Sequence, residues 1–387
     1  MPLPTIELNA KLGASLMAGH PWVYRNHIPT HTAAAPGWVR VVAGAFSGYA
    51  IWDPDSALAL RIFSRQSCPD KAWIADRVQE AFALRTDLLA DGRTTAYRLI
   101  SGEGDYLPGV VVDMYEGFAV VVLDSPALKV LLPDLLTALC EVIRPRGILL
   151  KQRKEGTEPQ LVAGASLPKT LVVSENGLRL RANLLLGQKT GLFLDHRDNR
   201  QWIEEHAKGK RVLNLFAYSG AFSLYAARGG ATEVTSVDIA PDAIADAREN
   251  FRLNGFDTEA HAFIAADVFS FLKECVSKGE LFDLVICDPP SFARRIDQLK
   301  QAKKAYLSLN SLACRVVKPG GILASGSCTA RVSPDDFRGL VTEAALQQQR
   351  RFQILREAAH ALDHPIAAGH PEGRYLKFVA GRLLPQA

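Results

Sequence analysis

The stretch Asn214-Leu215-Phe216-Ala217-Tyr218-Ser219-Gly220-Ala221-Phe222-Ser223 decides the fold of the C-terminal half of the chain. Arg211 to Phe216 is an apolar run of strand length, and a helical pattern starts at Ala221 and stops at Gly229-Gly230. The same strand–helix beat continues downstream. Val234 to Asp238 is a second strand; a helix starts near Pro241, a residue suited to the first helical position, and stops at Asn254-Gly255. Ala262 to Ala266 and Phe282 to Asp288 are further strands, and Gly320-Gly321 leads into another, Ile322 to Ser325. Ser333-Pro334-Asp335-Asp336 offers a cap, a proline and two acids for a helix start, and Arg351 to Ala358 and Tyr375 to Leu383 read as closing strands. Strict alternation of this kind implies a parallel sheet covered on both faces, the doubly wound α/β class.

The first strand–helix turn has one glycine. A dinucleotide site carries G-x-G-x-x-G so that backbone can approach a pyrophosphate at a helix N-terminus, which disfavours a nicotinamide dehydrogenase. S-adenosylmethionine has no phosphate and needs only a tight turn against its methionine and ribose. Asn214, Phe216, Tyr218, Ser219 and Gly220 are therefore candidate contacts for it. Asp238 ends the second strand, where a carboxylate can accept from both ribose hydroxyls. Asp267, after the third, can accept from the adenine amino group; taken singly it is better explained as a helix cap. Three such elements on successive strands point to a Rossmann-like, class I methyltransferase domain.

The fourth strand ends in Asp288-Pro289-Pro290-Ser291-Phe292. Two prolines stop it abruptly and stiffen the backbone that follows. Asp288 is thereby held where a flat base could hydrogen-bond, with Phe292 able to stack on it. Cys328, in Ser325-Gly326-Ser327-Cys328-Thr329, leaves the fifth strand next door, at the carboxyl edge where ligands bind in open α/β sheets. A thiolate there suits chemistry at carbon: addition at C6 of cytosine makes C5 nucleophilic enough to take a methyl group. A free thiol titrates near 8.5, so a helix N-terminus or a cation must favour its anion, and Arg331 is a candidate cation. Cys140, Cys275, Cys287 and Cys314 read as small buried hydrophobes, Cys287 pointing away from Asp288 by strand alternation. An Asp-Pro-Pro-aromatic motif also suits methylation of an exocyclic amine or ring nitrogen, without a cysteine. A non-catalytic RNA-binding assembly factor is the remaining alternative.

Upstream, Trp38 to Val42 and Ala57 to Phe63 are strand-like within a small β region ending near residue 70, and residues 71–90 look helical. From 95 to 185 strands and a helix mix: Gly109 to Asp113 and Ala119 to Leu123 flank Tyr115-Glu116-Gly117, Val130 to Ile143 is helical, and Glu175-Asn176-Gly177 is a hairpin signal. The net charge of +4 mildly favours a polyanionic partner. Six scattered cysteines form no CxxC pair, no secretory signal is visible, and the most apolar stretch, Phe118 to Cys140, carries Asp124, Lys129 and Asp134. These features predict a reduced, cytoplasmic protein without a membrane span. No metal is expected; His360, His364 and His370 lack a helical period and read as loop histidines. Oligomeric state is open, a homodimer included. After Phe292 the chain is basic, with Arg294, Arg295, Lys300, Lys303 and Lys304, the last three on one helical face that could hold phosphates. Arg25, Arg40, Lys151, Arg153 and Lys154 are weaker signals of the same kind.

Nearly the whole chain resembles the bacterial 23S rRNA cytosine-C5 methyltransferase family. The likeness rests on His20-Pro21-Trp22-Val23-Tyr24 and Asp53 to Arg61, on Arg98 to Asp113, and most specifically on Gly187-Gln188-Lys189-Thr190-Gly191-Leu192-Phe193-Leu194-Asp195-His196-Arg197-Asp198-Asn199-Arg200. Val212 to Phe222, Asp288 to Phe292, Ser327-Cys328-Thr329 and Pro371-Glu372-Gly373-Arg374-Tyr375 carry the rest. The resemblance implies an RNA-binding, β-barrel PUA-like domain over 1–70, a central α+β domain over 71–185 and the methyltransferase domain over 186–387. It implies that Cys328 is the attacking thiol and that Gln188, Lys189 and Arg197 lie near the cofactor or shape its entry; Pro289, Pro290 and Phe292 are candidate base contacts from the strand-exit motif itself. The substrate it implies is 23S rRNA, free or in a precursor particle. Two departures stand out. Ala330 occupies a position where many relatives carry histidine or another polar side chain. No cysteine follows Pro289, unlike the other large RNA cytosine-C5 family, so the base that removes the C5 proton is unassigned.

Overall fold

The computed structural model describes every residue except 1–2, 31–34, 153–158, 169, 186–189, 294 and 387. Two compact units divide the chain. One comprises Met1–Asn176, Ala182–Leu194 and Leu362–Gly373; the other comprises Gly177–Arg181, Asp195–Ala361 and Arg374–Ala387.

The first unit holds two five-stranded sheets. In one, Thr5–Glu7, Gly37–Ala43, Phe46–Trp52, Leu58–Ser64 and Trp22–Tyr24 lie side by side in that order. Thr5–Glu7 and Trp22–Tyr24 have three residues each, too few to show a period in the sequence. Val39, Val41, Phe46, Ala50 and Leu60 fill the core behind this sheet. The other sheet runs Gln160–Gly164, Gly147–Lys151, Phe118–Leu123, Val110–Tyr115, Ala96–Ser101. Glu116 (φ 48°) and Gly117 (φ 80°) make the left-handed two-residue turn that the sequence signals. Helices Lys71–Leu84 and Leu132–Val142 pack Ile74, Val78, Leu135 and Leu139 onto that sheet.

The helix expected over 71–90 breaks after Leu84, where Arg85 turns inward, fully buried, and meets both oxygens of Asp105 at 2.7 and 2.8 Å. Arg85 also donates to the carbonyl of Asp363 (2.8 Å), whose carboxylate accepts from the Arg98 amide (2.8 Å). A segment late in the chain thus completes the first unit. Cys140, expected inside, is exposed: Leu135, Ala138 and Leu139 form the buried stripe of its helix, and Cys140 falls beside it.

The second unit is a seven-stranded sheet with helices. We label its strands β1 (Arg211–Leu215), β2 (Glu233–Asp238), β3 (Ala262–Ala265), β4 (Phe282–Cys287), β5 (Val317–Ser327), β6 (Arg350–Ala358) and β7 (Lys377–Pro385). The helices are α1 (Arg197–Glu205), α2 (Ala221–Arg228), α3 (Pro241–Leu253), α4 (Val268–Lys278), α5 (Leu299–Val316) and α6 (Pro334–Gln347). Spatial order is β3-β2-β1-β4-β5-β7-β6, with β1 to β5 parallel and β7 antiparallel to both neighbours. The chain reverses strand order at β1, which opens a crevice at the carboxyl edge. Leu213, Val285, Leu309, Leu323 and Phe337 anchor the core. Strand β5 starts at Val317, five residues before Ile322, because a register irregularity opposite Phe282–Leu284 lets the Gly320-Gly321 pair lie inside the strand. Ser333 caps α6 as its sequence predicts, accepting from the Asp336 amide at 3.1 Å. Among the described residues, no helix is long and apolar enough to cross a membrane.

Candidate active site

At the exit of β1, Phe216 (φ 58°), Tyr218 (φ 48°) and Gly220 (φ 76°) all take left-handed backbone. Each non-glycine residue held this way costs roughly 1–3 kcal/mol, so neighbouring contacts must enforce it. The Tyr218 amide donates to Oδ2 of Asp238 at 2.9 Å, and the Ala217 amide to the Val237 carbonyl at 2.9 Å. At Gly220 a Cβ would lie 2.8 Å from the Ala247 Cβ of α3, so the bare backbone is what lets the turn close on that helix. Sequence reading found the glycine; the two strained aromatics carry no composition signal.

Asp238 also accepts from the Ala240 amide at 3.0 Å on its other oxygen. Each oxygen keeps a lone pair for a hydroxyl. Ile239, which sequence reading passed over, stands 70% exposed beside it and offers an apolar surface. Ser219 is buried, its carbonyl taking a hydrogen bond from Asn250 (2.9 Å). Asn214 lies in the interior below the turn: its amide donates to Ser223 Oγ (2.9 Å), which meets Ser236 Oγ (2.7 Å). Asp267 is an exposed cap of α4. It accepts from the amide and hydroxyl of Ser270, both at 2.9 Å, and these bonds hold its carboxyl below the usual range. The turn, the Asp238 carboxylate and Ile239 together suit an adenosine carried without phosphate. Arg197 is buried at the start of α1. Gln188 and Lys189 lie outside the described residues, as do Arg153, Lys154 and Arg294.

On the other side of β1, the pairing of Cys287 with Ser325 sets Asp288 next to Gly326. A Cβ on Gly326 would come within 2.5 Å of Asp288 Oδ1, so the carboxylate lies directly over bare backbone. That same oxygen is 3.2 Å from His196 Nε2. His196 is buried, edge-on to Phe222 and Phe378, and Asn199 Nδ2 reaches its Nδ1 at 3.0 Å. An amide nitrogen only donates, so Nδ1 is the acceptor and Nε2 carries the hydrogen toward Asp288. The pairing of His196 with Asp288 spans 92 positions, so no local signal in the sequence marks His196 for this role. Gly326→Ala should push Asp288 off this histidine and destabilise the protein by about 1–3 kcal/mol, measurable by denaturant titration.

Pro289 is buried and Pro290 exposed. Phe292 is half-buried and sits edge-on to Tyr306 of α5, ring centres 4.8 Å apart. The Tyr306 hydroxyl meets Thr329 Oγ1 (2.7 Å) and accepts from Ser327 (2.9 Å), while Ser291 Oγ is 3.1 Å from Thr329 Oγ1. The exits of β4 and β5 are therefore laced together around Cys328, which is half-buried. Burial raises the Tyr306 phenol to about 12 and pushes the Cys287 thiol far up; Cys275, Cys287 and Cys314 are core residues. Arg331, the cation expected from sequence, is exposed. Lys377, at the start of β7, is 3% exposed, and burial brings its amine down to about 8 while the charge of Cys328 works against that fall. Of the basic face on α5, Lys300 and Lys304 are exposed and Lys303 is 2.9 Å from Asp336 of α6. His360 accepts from the Leu376 amide, His364 sits 2.9 Å from Asp363, and the ring of His370 packs on Trp22.

Comparison with known proteins identifies the family of the chain. A family model for S-adenosylmethionine-dependent methyltransferases matches residues 102–357, and one for a PUA-like domain matches residues 6–65. Ribosomal RNA large subunit methyltransferase I of Shewanella denitrificans is 36% identical over 98% of this chain and 99% of its own length. The protein of that name in Photobacterium profundum is also 36% identical, over 94% of this chain and 95% of its own. A methyltransferase solved as its complex with SAH shares the fold, with a TM-score of 0.89 and 24% identity over 98% of this chain and 100% of that one. The chain therefore belongs to the S-adenosylmethionine-dependent methyltransferases with an N-terminal PUA-like domain, in the family of ribosomal RNA large subunit methyltransferase I.

Proposed function

We propose that this protein methylates C5 of a cytosine in 23S rRNA, by way of a covalent bond between Cys328 and C6 of the base. The coarser activity, methylation of ribosomal RNA, is the one for which these relatives are named. The observation that carries the finer reading is the pairing of Cys287 with Ser325, from which Asp288 and Cys328 leave neighbouring strands one and three residues later.

When bound, S-adenosylmethionine supplies an electrophilic methyl group on a sulfonium. Asp238 would hold its ribose, with Phe216, Tyr218, Ser219, Gly220 and Ile239 around it. Cys328 adds as thiolate to C6 and so makes C5 nucleophilic. Asp288, oriented by His196, accepts from the base's amino edge and steadies the adduct. Once C5 carries the methyl group, transfer of its proton to water restores the ring double bond, and the C6–sulfur bond pair returns to Cys328 as thiolate. The PUA-like domain and the exposed Lys300 and Lys304 would bind RNA backbone. A stacked base must be flipped out at a cost of a few kcal/mol, which favours an unpaired segment as target. The setting we infer is the cytoplasm.

Asp238→Ala removes an acceptor in charge-assisted hydrogen bonds worth about 1.5–3 kcal/mol. Calorimetry should show S-adenosylmethionine bound roughly 10- to 100-fold more weakly. RNA containing 5-fluorocytosine tests the carbon reading itself. Fluorine at C5 cannot leave as a proton does, so the adduct should persist and appear in denaturing mass spectra as protein plus RNA, linked at Cys328. Turnover of this RNA without a trapped adduct would favour a nitrogen target.

A further inference from the structure

We propose that Lys377 is the positioning residue that keeps Cys328 in its reactive thiolate form. The inference rests on the cysteine mechanism above and adds the cation that mechanism requires.

The geometry begins with register. Strand β7 pairs antiparallel with β5, and Lys377 lies directly opposite Ser327. Its side chain then runs forward, and Nζ donates to the Thr329 carbonyl at 2.6 Å and to the Tyr375 carbonyl at 2.8 Å. The lysine is thus level with the residue before Cys328 at its Cα and bonded to the residue after it at its tip, so it spans the cysteine's backbone. An ammonium has three donors, and the two carbonyls use two of them.

Electrostatics point the same way. Lys377 is buried, and its amine falls to about 8 because of that burial; the charge of Cys328 is the influence that opposes the fall. A buried ammonium is poorly tolerated without a counter-charge, and a thiolate beside it supplies one. The thiol's proton passes to solvent water while Lys377 keeps its own, the sulfur anion and the lysine cation stabilise each other, and the anion's electron pair forms the bond to C6 when the base is attacked. The other titratable groups around this pair are unsuited to the task. Tyr306, under Cys328 on α5, stays protonated at about 12, Asp288 from β4 is an acid, and His196 from the start of α1 faces Asp288. Arg331 is exposed, where solvent and salt weaken its field.

The test reads the thiol directly, without RNA or cofactor. The full-length protein is alkylated with iodoacetamide across a pH series, and modification of the Cys328 peptide is followed by mass spectrometry. In the unaltered protein the rate should rise with a midpoint below the ordinary cysteine value of about 8.5. In Lys377→Gln, which keeps a donor for the Thr329 carbonyl and loses the charge, the midpoint should move up by about 1–3 pH units. Lys377→Arg should keep it low. An unchanged midpoint in folded Lys377→Gln overturns the proposal. So does a midpoint at or above the ordinary value in the unaltered protein, a result independent of whether the variant folds. A lowered midpoint combined with full methylation by Cys328→Ala would leave the lysine–thiol pair standing and remove the cysteine mechanism instead.

Discussion

Cys328→Ala should lose methyl transfer by at least about 10³-fold while binding S-adenosylmethionine as tightly as the unaltered protein. Removing a covalent nucleophile eliminates the step that makes C5 reactive, and the remaining pocket offers only binding and orientation. The substitution itself is mild. Cys328 follows the last residue of β5 and is half-buried, and the hydroxyls of Ser291, Thr329, Tyr306 and Ser327 bond to one another around it. Folding and cofactor affinity should therefore persist. The measurement is single-turnover transfer of labelled methyl to rRNA, beside calorimetry with the cofactor. Full activity would end the case for carbon methylation and turn attention to an amino or ring-nitrogen target.

Asp288→Asn should cost about 10²- to 10³-fold in the rate of the chemical step, the size usual for removing one preorganised polar group from a transition state. The amide has the shape of the carboxylate and fits over Gly326 equally well. What changes is charge: one carboxylate oxygen becomes an NH2 donor, so His196 Nε2, 3.2 Å away, no longer faces an anion, and the base's amino edge meets at best a neutral carbonyl in place of a charged acceptor. RNA affinity should change little, because phosphate contacts dominate it. A rate unchanged by this variant would show that Asp288 only shapes the strand exit.

The sheet was largely legible in the sequence. Runs such as Val234 to Asp238 and Ala262 to Ala266 differ from the observed strands by one residue, because a buried parallel strand must be apolar along its whole length. Strand adjacency then put Asp288 and Cys328 at neighbouring exits. Cross-chain pairings were not legible. Nothing local at His196 announces Asp288, and nothing at Lys377 announces Cys328, since an antiparallel β7 inserted between β5 and β6 is what brings the lysine in. Arg331 is the cation that sequence distance suggests, three residues from the thiol, and it is exposed; strand register is what sets Lys377 opposite Ser327, the basis on which we propose it instead. Asn214 shows the reverse case. It stands in the motif, yet its side chain serves the interior through Ser223 and Ser236.

Leu362–Gly373 belongs to the first unit although more than 160 residues of the second precede it. Until that segment is synthesised, buried Arg85 lacks the Asp363 carbonyl, the Arg98 amide lacks its carboxylate, and Trp22 lacks the ring of His370. The amino-terminal unit therefore cannot mature while it emerges; it must wait, incomplete, through translation of nearly the whole catalytic sheet. Proteolytic nicking near residue 361 or truncation there would damage the unit that lies farthest away along the polypeptide.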